Sequence, residues 1–249
     1  MRDRSAFLKP IAHRGLHDAA KGIVENTAAA FEAAIAKGYG IECDVRPAGC
    51  STPVVFHDLT LERLIEAEGP LAVHEVAALK KLAYRNGGGS MMELADLLDL
   101  VGGREPLLIE IKSEWDAPDV RFLQAIARTA VAYRGPLALM SFDPAVMAGI
   151  RALAPQIPRG IVSGLFAGDC WWRGKLGPER AYSLTHLLES GPAAPDFYAY
   201  DINALPTPVT RFTREVLGLP LFTWTVRTPE QRDTAARWAD APIFEGYEP

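Results

Sequence analysis

Short apolar runs alternate with longer stretches of helical periodicity from one end of the chain to the other. Eight runs have the length and apolar content of strands: Pro10–His13, Gly40–Val45, Leu107–Lys112, Leu137–Ser141, Arg159–Ser163, Phe197–Asp201, Leu221–Val226 and Pro242–Glu245. Between most of them lie amphipathic segments, at Thr27–Lys37, Val120–Tyr133, Asp143–Leu153, Pro208–Leu217 and Thr228–Ala239. Strand and helix in alternation is the pattern of a parallel α/β fold, and eight strands in 249 residues predict a TIM (β/α)8 barrel.

The spacing breaks once. Val45 to Leu107 is longer than one helix and its loops require, which predicts a small insertion after the second strand, about residues 46–106, within one barrel domain of residues 1–249. Val73–Ala83 and Glu93–Leu100 read as helices there, with Gly87, Gly88 and Gly89 as a turn between them. The segment is expected to be too short to bury much core alone.

Composition narrows the class. Hydrophobic residues make up 49% and charged residues 23%, the balance of a folded globular protein. A net charge of −5 gives no global positive field, so a nucleic-acid partner is excluded while a small phosphorylated substrate is not. No apolar window approaches the roughly 18 residues of a spanning helix, and the first ten residues have no apolar signal core. The chain reads as soluble and cytoplasmic. Cys43, Cys50 and Cys170 lack CxxC spacing and read as reduced thiols, with Cys43 an inert core thiol.

Side chains alternate faces along a strand, so Glu42 and Asp44 share one face while Cys43 and Val45 take the other. On the third predicted strand the same rule puts Glu110 and Lys112 on one face, opposite Ile109 and Ile111. In a parallel barrel these strand ends open on one rim, where active sites of this fold are built, and His13 and Arg14 end the first strand on that rim. Three carboxylates brought together repel and lose hydration, a cost that a bound cation removes. Oxygen-only ligands favour a hard divalent ion, Mg2+ or Ca2+. The alternative is a structural charge network with Arg14, Arg46 and Lys112. His57 follows an apolar run that carries it back toward the rim, where two histidines beside a metal point to acid–base chemistry on a phosphate ester. His17, His74 and His186 read as surface or structural residues.

Taken in order, His13-Arg14-Gly15, Glu25-Asn26-Thr27 with Ala30-Phe31, Glu42-Cys43-Asp44-Val45, Pro53 to Asp58 with Leu61 and Arg63, Glu110-Ile111-Lys112 and Trp224-Thr225-Val226 resemble the glycerophosphodiester phosphodiesterase family. The resemblance implies a TIM barrel with a short insertion after the second strand. It also implies metal ligation by Glu42, Asp44 and Glu110, acid–base roles for His13 and His57, and phosphate contacts from Arg14 and Lys112. The implied activity is metal-dependent hydrolysis of a small glycerophosphodiester to sn-glycerol 3-phosphate and an alcohol.

The chain departs from the family pattern in three places. Arg227 follows Trp224-Thr225-Val226 where asparagine is frequent, Phe244-Glu245-Gly246-Tyr247 stands where an aspartate-containing turn is usual, and Cys50-Ser51 occupies a common Asp-Gly turn. Asn26 reads as a helix cap, with Glu25 beside it orienting Arg14. Trp224 is a candidate for stacking on the substrate, with packing as its alternative. Trp171 and Trp172 read as an internal plug or dimer contact, or else as a lid or interfacial anchor. Two rival functions remain: a lysophospholipase D-type phosphodiesterase on lipids, and a non-catalytic barrel that binds a phosphorylated ligand.

Overall fold

The computed structural model describes residues 5–167, 172 and 174–249. Strand β1 (Ile11–Ala12) is followed by helix α1 (Ala28–Ala36) and by β2 (Gly40–Pro47), which outruns its neighbours and pairs antiparallel with β3 (Pro53–Val55). Helices α2 (Val76–Leu79) and α3 (Leu94–Val101) complete the excursion. Then come β4 (Leu107–Ile111), α4 (Val120–Ala132), β5 (Leu137–Ser141), α5 (Pro144–Leu153), β6 (Arg159–Ser163) and α6 (Pro178–Thr185). Strand β7 (Phe197–Asp201), α7 (Pro208–Arg211), β8 (Leu221–Val226), α8 (Pro229–Trp238) and β9 (Ala241–Phe244) close the chain. β1 pairs in parallel with both β2 and β9, so the eight strands other than β3 form a closed parallel barrel.

All eight predicted strands are present, though β1, β4 and β9 stop short of His13, Lys112 and Glu245, which lie just past the strand ends. Four predictions need correction. The run at Pro53 is a ninth strand, because β2 overhangs the barrel and offers it a ladder edge. Helix α6 was not foreseen; it starts on Pro178 and buries only Ala181 and Leu184, too few apolar positions to show a periodicity. The helix expected over 73–83 shrinks to Val76–Leu79, preceded by a single 3-10 turn. The one expected over 208–217 changes to a π turn at Phe212–Val216.

Strand alternation sorts the core into layers. Outward residues such as Cys43, Ile109, Ile111, Leu139 and Ile161 pack beneath Phe31, Leu97, Phe122, Ile126 and Ile150 of the helices. Inward residues Ile11, Leu108, Ala138, Val162, Phe197, Ala199, Phe222 and Ile243 fill the barrel, and Phe7 joins them to plug its N-terminal end. Gly160 is one of these inward positions: a Cβ there would lie 2.1 Å from the Phe197 ring, so its absence makes room for that ring. The excursion buries an apolar cluster of its own, including Phe56, Leu61, Ile65, Leu79 and Met91, contrary to the expectation from its length. Ala48 and Val54 of the β2–β3 hairpin join this cluster, and Val24 adds one residue from outside the excursion.

In the β2–β3 hairpin, Cys50 and Ser51 have φ of 54° and 59°. The turn keeps the left-handed backbone that an Asp-Gly pair adopts without strain. No helix among the described residues is long and apolar enough to cross a membrane.

Candidate active site

The inward face of β2 carries Glu42 and Asp44, and Asp44 lies in register with Glu110 of β4. One oxygen from each of the three carboxylates falls within 4.8 Å of the others, and all three side chains are buried. Lys112 Nζ bridges Asp44 Oδ1 at 2.8 Å and Glu110 Oε1 at 2.6 Å. Arg14 adds its Nε at 3.2 Å from Asp44 Oδ2 and its Nη1 at 2.7 Å from Glu25, the orientation expected of Glu25. The left-handed φ of Arg14, 55°, turns its backbone N–H onto Glu42 Oε2 at 2.9 Å. Gly15 follows because the chain here runs against α1, where a Cβ would sit 2.8 Å from Ala30.

The cluster is therefore unevenly compensated. Burial works to raise the Asp44 carboxyl, but Lys112 and Arg14 outweigh it and hold the group well below its ordinary value. Burial pushes the Glu42 carboxyl well above its ordinary value, and repulsion from Asp44 and Glu110 adds to this. Glu42 Oε1 is buried with no hydrogen-bond partner among the described residues. Burial tends to lower the Lys112 ammonium, yet Asp44 and Glu110 leave it raised overall. A structural charge network accounts for Asp44, Glu110, Arg14 and Lys112. It does not account for Glu42, and Arg46 takes no part, since it pairs with Glu114 at 2.8 Å. Three buried carboxylates, with Glu42 Oε1 orphaned and Asp44 Oδ1 facing the Lys112 ammonium without an aligned hydrogen bond, fit a hard divalent cation.

Two histidines flank the carboxylates. His13 Nδ1 lies 2.7 Å from Glu245 Oε2, which leaves its Nε2 toward Glu42, 3.9 Å away. Burial lowers the His13 pKa below its ordinary value, against the upward pull of Glu245. In return the hydrogen bond from His13 is the main influence holding Glu245 down to about 2. His57 is brought over the mouth by the hairpin: Phe56 N donates to Asp44 O at 3.0 Å and Arg46 Nε donates to His57 O at 2.5 Å. Its Nδ1 lies 2.7 Å from Asp58 Oδ1, and Arg63 clamps Asp58 and Glu25 together. Each imidazole thus has its Nδ1 on a carboxylate, which orients the ring.

A cavity of about 560 Å³ opens over these groups, lined also by Met140, Phe142, Val162, Asp201, Trp224 and Arg227. Trp224 sits on its wall, donates Nε1 to Ala199 O at 3.2 Å and meets Phe142 edge-on at 5.2 Å. Packing and lining are both observed for it. All eight residues singled out from the sequence line this mouth or, in Asp44's case, lie directly beneath it. Asn26 corrects its expected role. Thr27 is the cap of α1, whereas Asn26 Nδ2 donates to Asp44 Oδ2 at 2.9 Å and braces it.

Glu245, Arg227, Asp58 and Asn26 went unassigned as site residues in the sequence. Parity alone locates Glu245, because it is two residues beyond inward-facing Ile243. Of the tryptophan pair, Trp171 lies outside the described residues, while Trp172 is buried against Phe166 at 5.9 Å, which is the plug reading for that residue.

With this geometry in view, the likeness to known proteins is specific. The sequence profile of the Glycerophosphoryl diester phosphodiesterase family matches residues 13–244. A glycerophosphodiester phosphodiesterase of Caldanaerobacter subterraneus subsp. tengcongensis is 28% identical over 236 residues, 90% of this chain and 87% of that protein. Among solved structures, an Oleispira antarctica phosphodiesterase in complex with the product sn-glycerol-3-phosphate superposes with a TM-score of 0.73 at 21% identity, covering 95% of this chain and 92% of the other. A Thermotoga maritima glycerophosphodiester phosphodiesterase gives 0.69 at 22%, covering 95% and 93%. The two structures bear on the fold, and the profile spans nearly every residue discussed above; the chain belongs to the glycerophosphoryl diester phosphodiesterase family and is a phosphodiesterase enzyme.

Proposed function

We propose that the chain, acting as one barrel domain, hydrolyses a small glycerophosphodiester to sn-glycerol 3-phosphate and an alcohol. The observation that carries this reading is the orphaned Glu42 oxygen in a buried three-carboxylate cluster, with a carboxylate-oriented histidine on either side. Glu42, Asp44 and Glu110 would hold Mg2+ or Ca2+, which when bound supplies charge neutralisation and polarisation of a phosphoryl oxygen.

The chain's own residues do the rest. Burial keeps His13 in the neutral form near pH 7, and Glu245 fixes the Nδ1–H tautomer, so Nε2 has a lone pair to take the proton of the attacking hydroxyl. His57, oriented by Asp58, gives a proton to the departing alkoxide oxygen. Arg14 and Lys112 direct cationic N–H groups at the phosphate while tied to the carboxylates beneath it. Trp224 and Phe142 give the organic arm of the substrate an apolar wall.

The test is release of sn-glycerol 3-phosphate from glycerophosphocholine and glycerophosphoethanolamine, with EDTA and then with Mg2+ or Ca2+ restored. Release that depends on the cation supports the reading. Absence of release under every cation removes it.

A further inference from the structure

His17 is the histidine in the mouth region with no use in the reaction above. It lies on the segment between β1 and α1, and its Nε2 is buried without a hydrogen-bond partner among the described residues. One donor atom each from His13, His17 and Glu245 lies within 4.8 Å of the others. Of the two His13 nitrogens, Nδ1 is 2.7 Å from Glu245 Oε2 and Nε2 is 3.9 Å from Glu42 Oε2, so Nδ1 is the nitrogen that a site shared with Glu245 would use. We propose that His13, His17 and Glu245 form a second cation site, selective for a borderline ion such as Zn2+, whose occupation switches the enzyme off.

The donor set decides the ion. Two imidazole nitrogens and one carboxylate oxygen match Zn2+ and its borderline neighbours, whereas the all-oxygen cluster on β2 and β4 suits Mg2+ or Ca2+. Four-coordinate Zn2+ needs donors about 3.4 Å apart, so a modest side-chain rotation of half-buried His17 completes the triad and leaves a fourth position for water. Glu245 also accepts from Arg227 at 2.9 Å through the same oxygen. The ion therefore has to displace that bond or use the second carboxylate oxygen, which keeps the affinity moderate.

The inhibitory consequence follows from imidazole valence. In the resting arrangement Nδ1 carries the proton to Glu245 and Nε2 keeps a lone pair. Once Nδ1 gives its lone pair to a metal, the proton of the neutral ring must sit on Nε2, which then has nothing to accept with. The two sites so compete for the state of one ring without sharing a ligand atom.

The inhibition arm rests on the proposed role of His13; the binding arm does not. In excess Mg2+, Co2+ is titrated into the protein as a spectroscopic stand-in for Zn2+, and diester hydrolysis is followed separately against Zn2+. The expected result is the intense visible band of four-coordinate Co2+ in wild type and its loss in His17→Ala and His17→Gln. The half-inhibiting Zn2+ concentration should rise by about tenfold or more in both variants, with Zn2+-free turnover little changed. Equal Zn2+ inhibition of wild type and both variants, or a Co2+ band that survives them, overturns the proposal. A His17-dependent Co2+ band in a protein that hydrolyses no diester upholds the site and fails the catalytic reading instead.

Discussion

The two ends of the barrel interior are made by the same strands and differ in everything else. At the N-terminal end Ile11, Leu108, Phe197, Phe222 and Phe7 meet as a closed apolar plug. Two residues further along, on the same inward face, β1 gives way to His13, β4 carries Glu110 after Leu108, and β9 leads from Ile243 to Glu245. The plug is stabilised by every atom it buries. The mouth tolerates groups that burial disfavours, and Glu42 is left uncompensated among them. The difference teaches that one end holds the barrel together while the other is kept ready for ligands, and substitutions at the two ends should separate stability from turnover.

The widest separation is expected from His57→Ala. Turnover should fall by about 10²–10⁴ while the melting temperature holds, because the half-exposed ring packs no core. Near-normal turnover would sink the assignment. The plug should answer in the opposite sense: Phe222→Ala should cost about 3–5 kcal/mol in urea unfolding with turnover per folded molecule unchanged, and a catalytic defect in the folded variant would break the contrast.

Glu42→Gln tests whether the mouth really opposes stability. The Glu42 pKa is raised in the folded state, so its destabilising ionisation is absent at low pH and sets in as pH rises past its unfolded value of about 4.3 through the folded one. The variant should therefore be more stable than the cation-free wild type by about 1–3 kcal/mol in alkaline buffer, and the gap should close in acid. It should also lose the stabilisation that added Mg2+ or Ca2+ gives the wild type.

Glu245 should show the reverse sign and the smallest effect. Its folded value of about 2 lies below its unfolded one, so its contribution is full above about 4.3 and is lost as pH falls through 2. After allowance for solvent screening this is about 1–2 kcal/mol. Urea midpoints measured from neutral pH into acid should fall less steeply for Glu245→Gln than for wild type; parallel curves would remove Glu245 as an ionised partner of His13.

What the sequence showed follows the same division. Alternation along a buried strand is a strong signal, and it places Glu42 with Asp44 on one face of β2 and Glu110 with Lys112 on one face of β4. The same rule reaches Glu245 only once β9 is known to run inward at Ile243, because a four-residue strand buried on both faces shows too little alternation of its own. Asn26 was misread because an asparagine before a helix resembles a cap from sequence alone. Only the fold shows that β2 passes close enough for it to hold Asp44 instead. Strand β3 was hidden for a different reason: three residues carry too little periodicity to be distinguished from a loop, and its partner is the overhang of β2, which no local pattern reveals.

That overhang has a consequence for how the enzyme can diversify. The excursion leaves the barrel along β3 and returns beside it, with Val55 N donating to Met92 O at 2.8 Å and Val54 bridging Glu93. Its two ends are stitched together at the root, and His57 belongs to the root. Leu71, Leu79 and Tyr84 tie the excursion into its own buried cluster, so the exposed turn at 85–90 is the stretch whose length can drift by insertion or deletion at little entropic cost, since closure depends only on the logarithm of loop length. A lineage could reshape the outer surface of the excursion through that turn while His57 stays at its post.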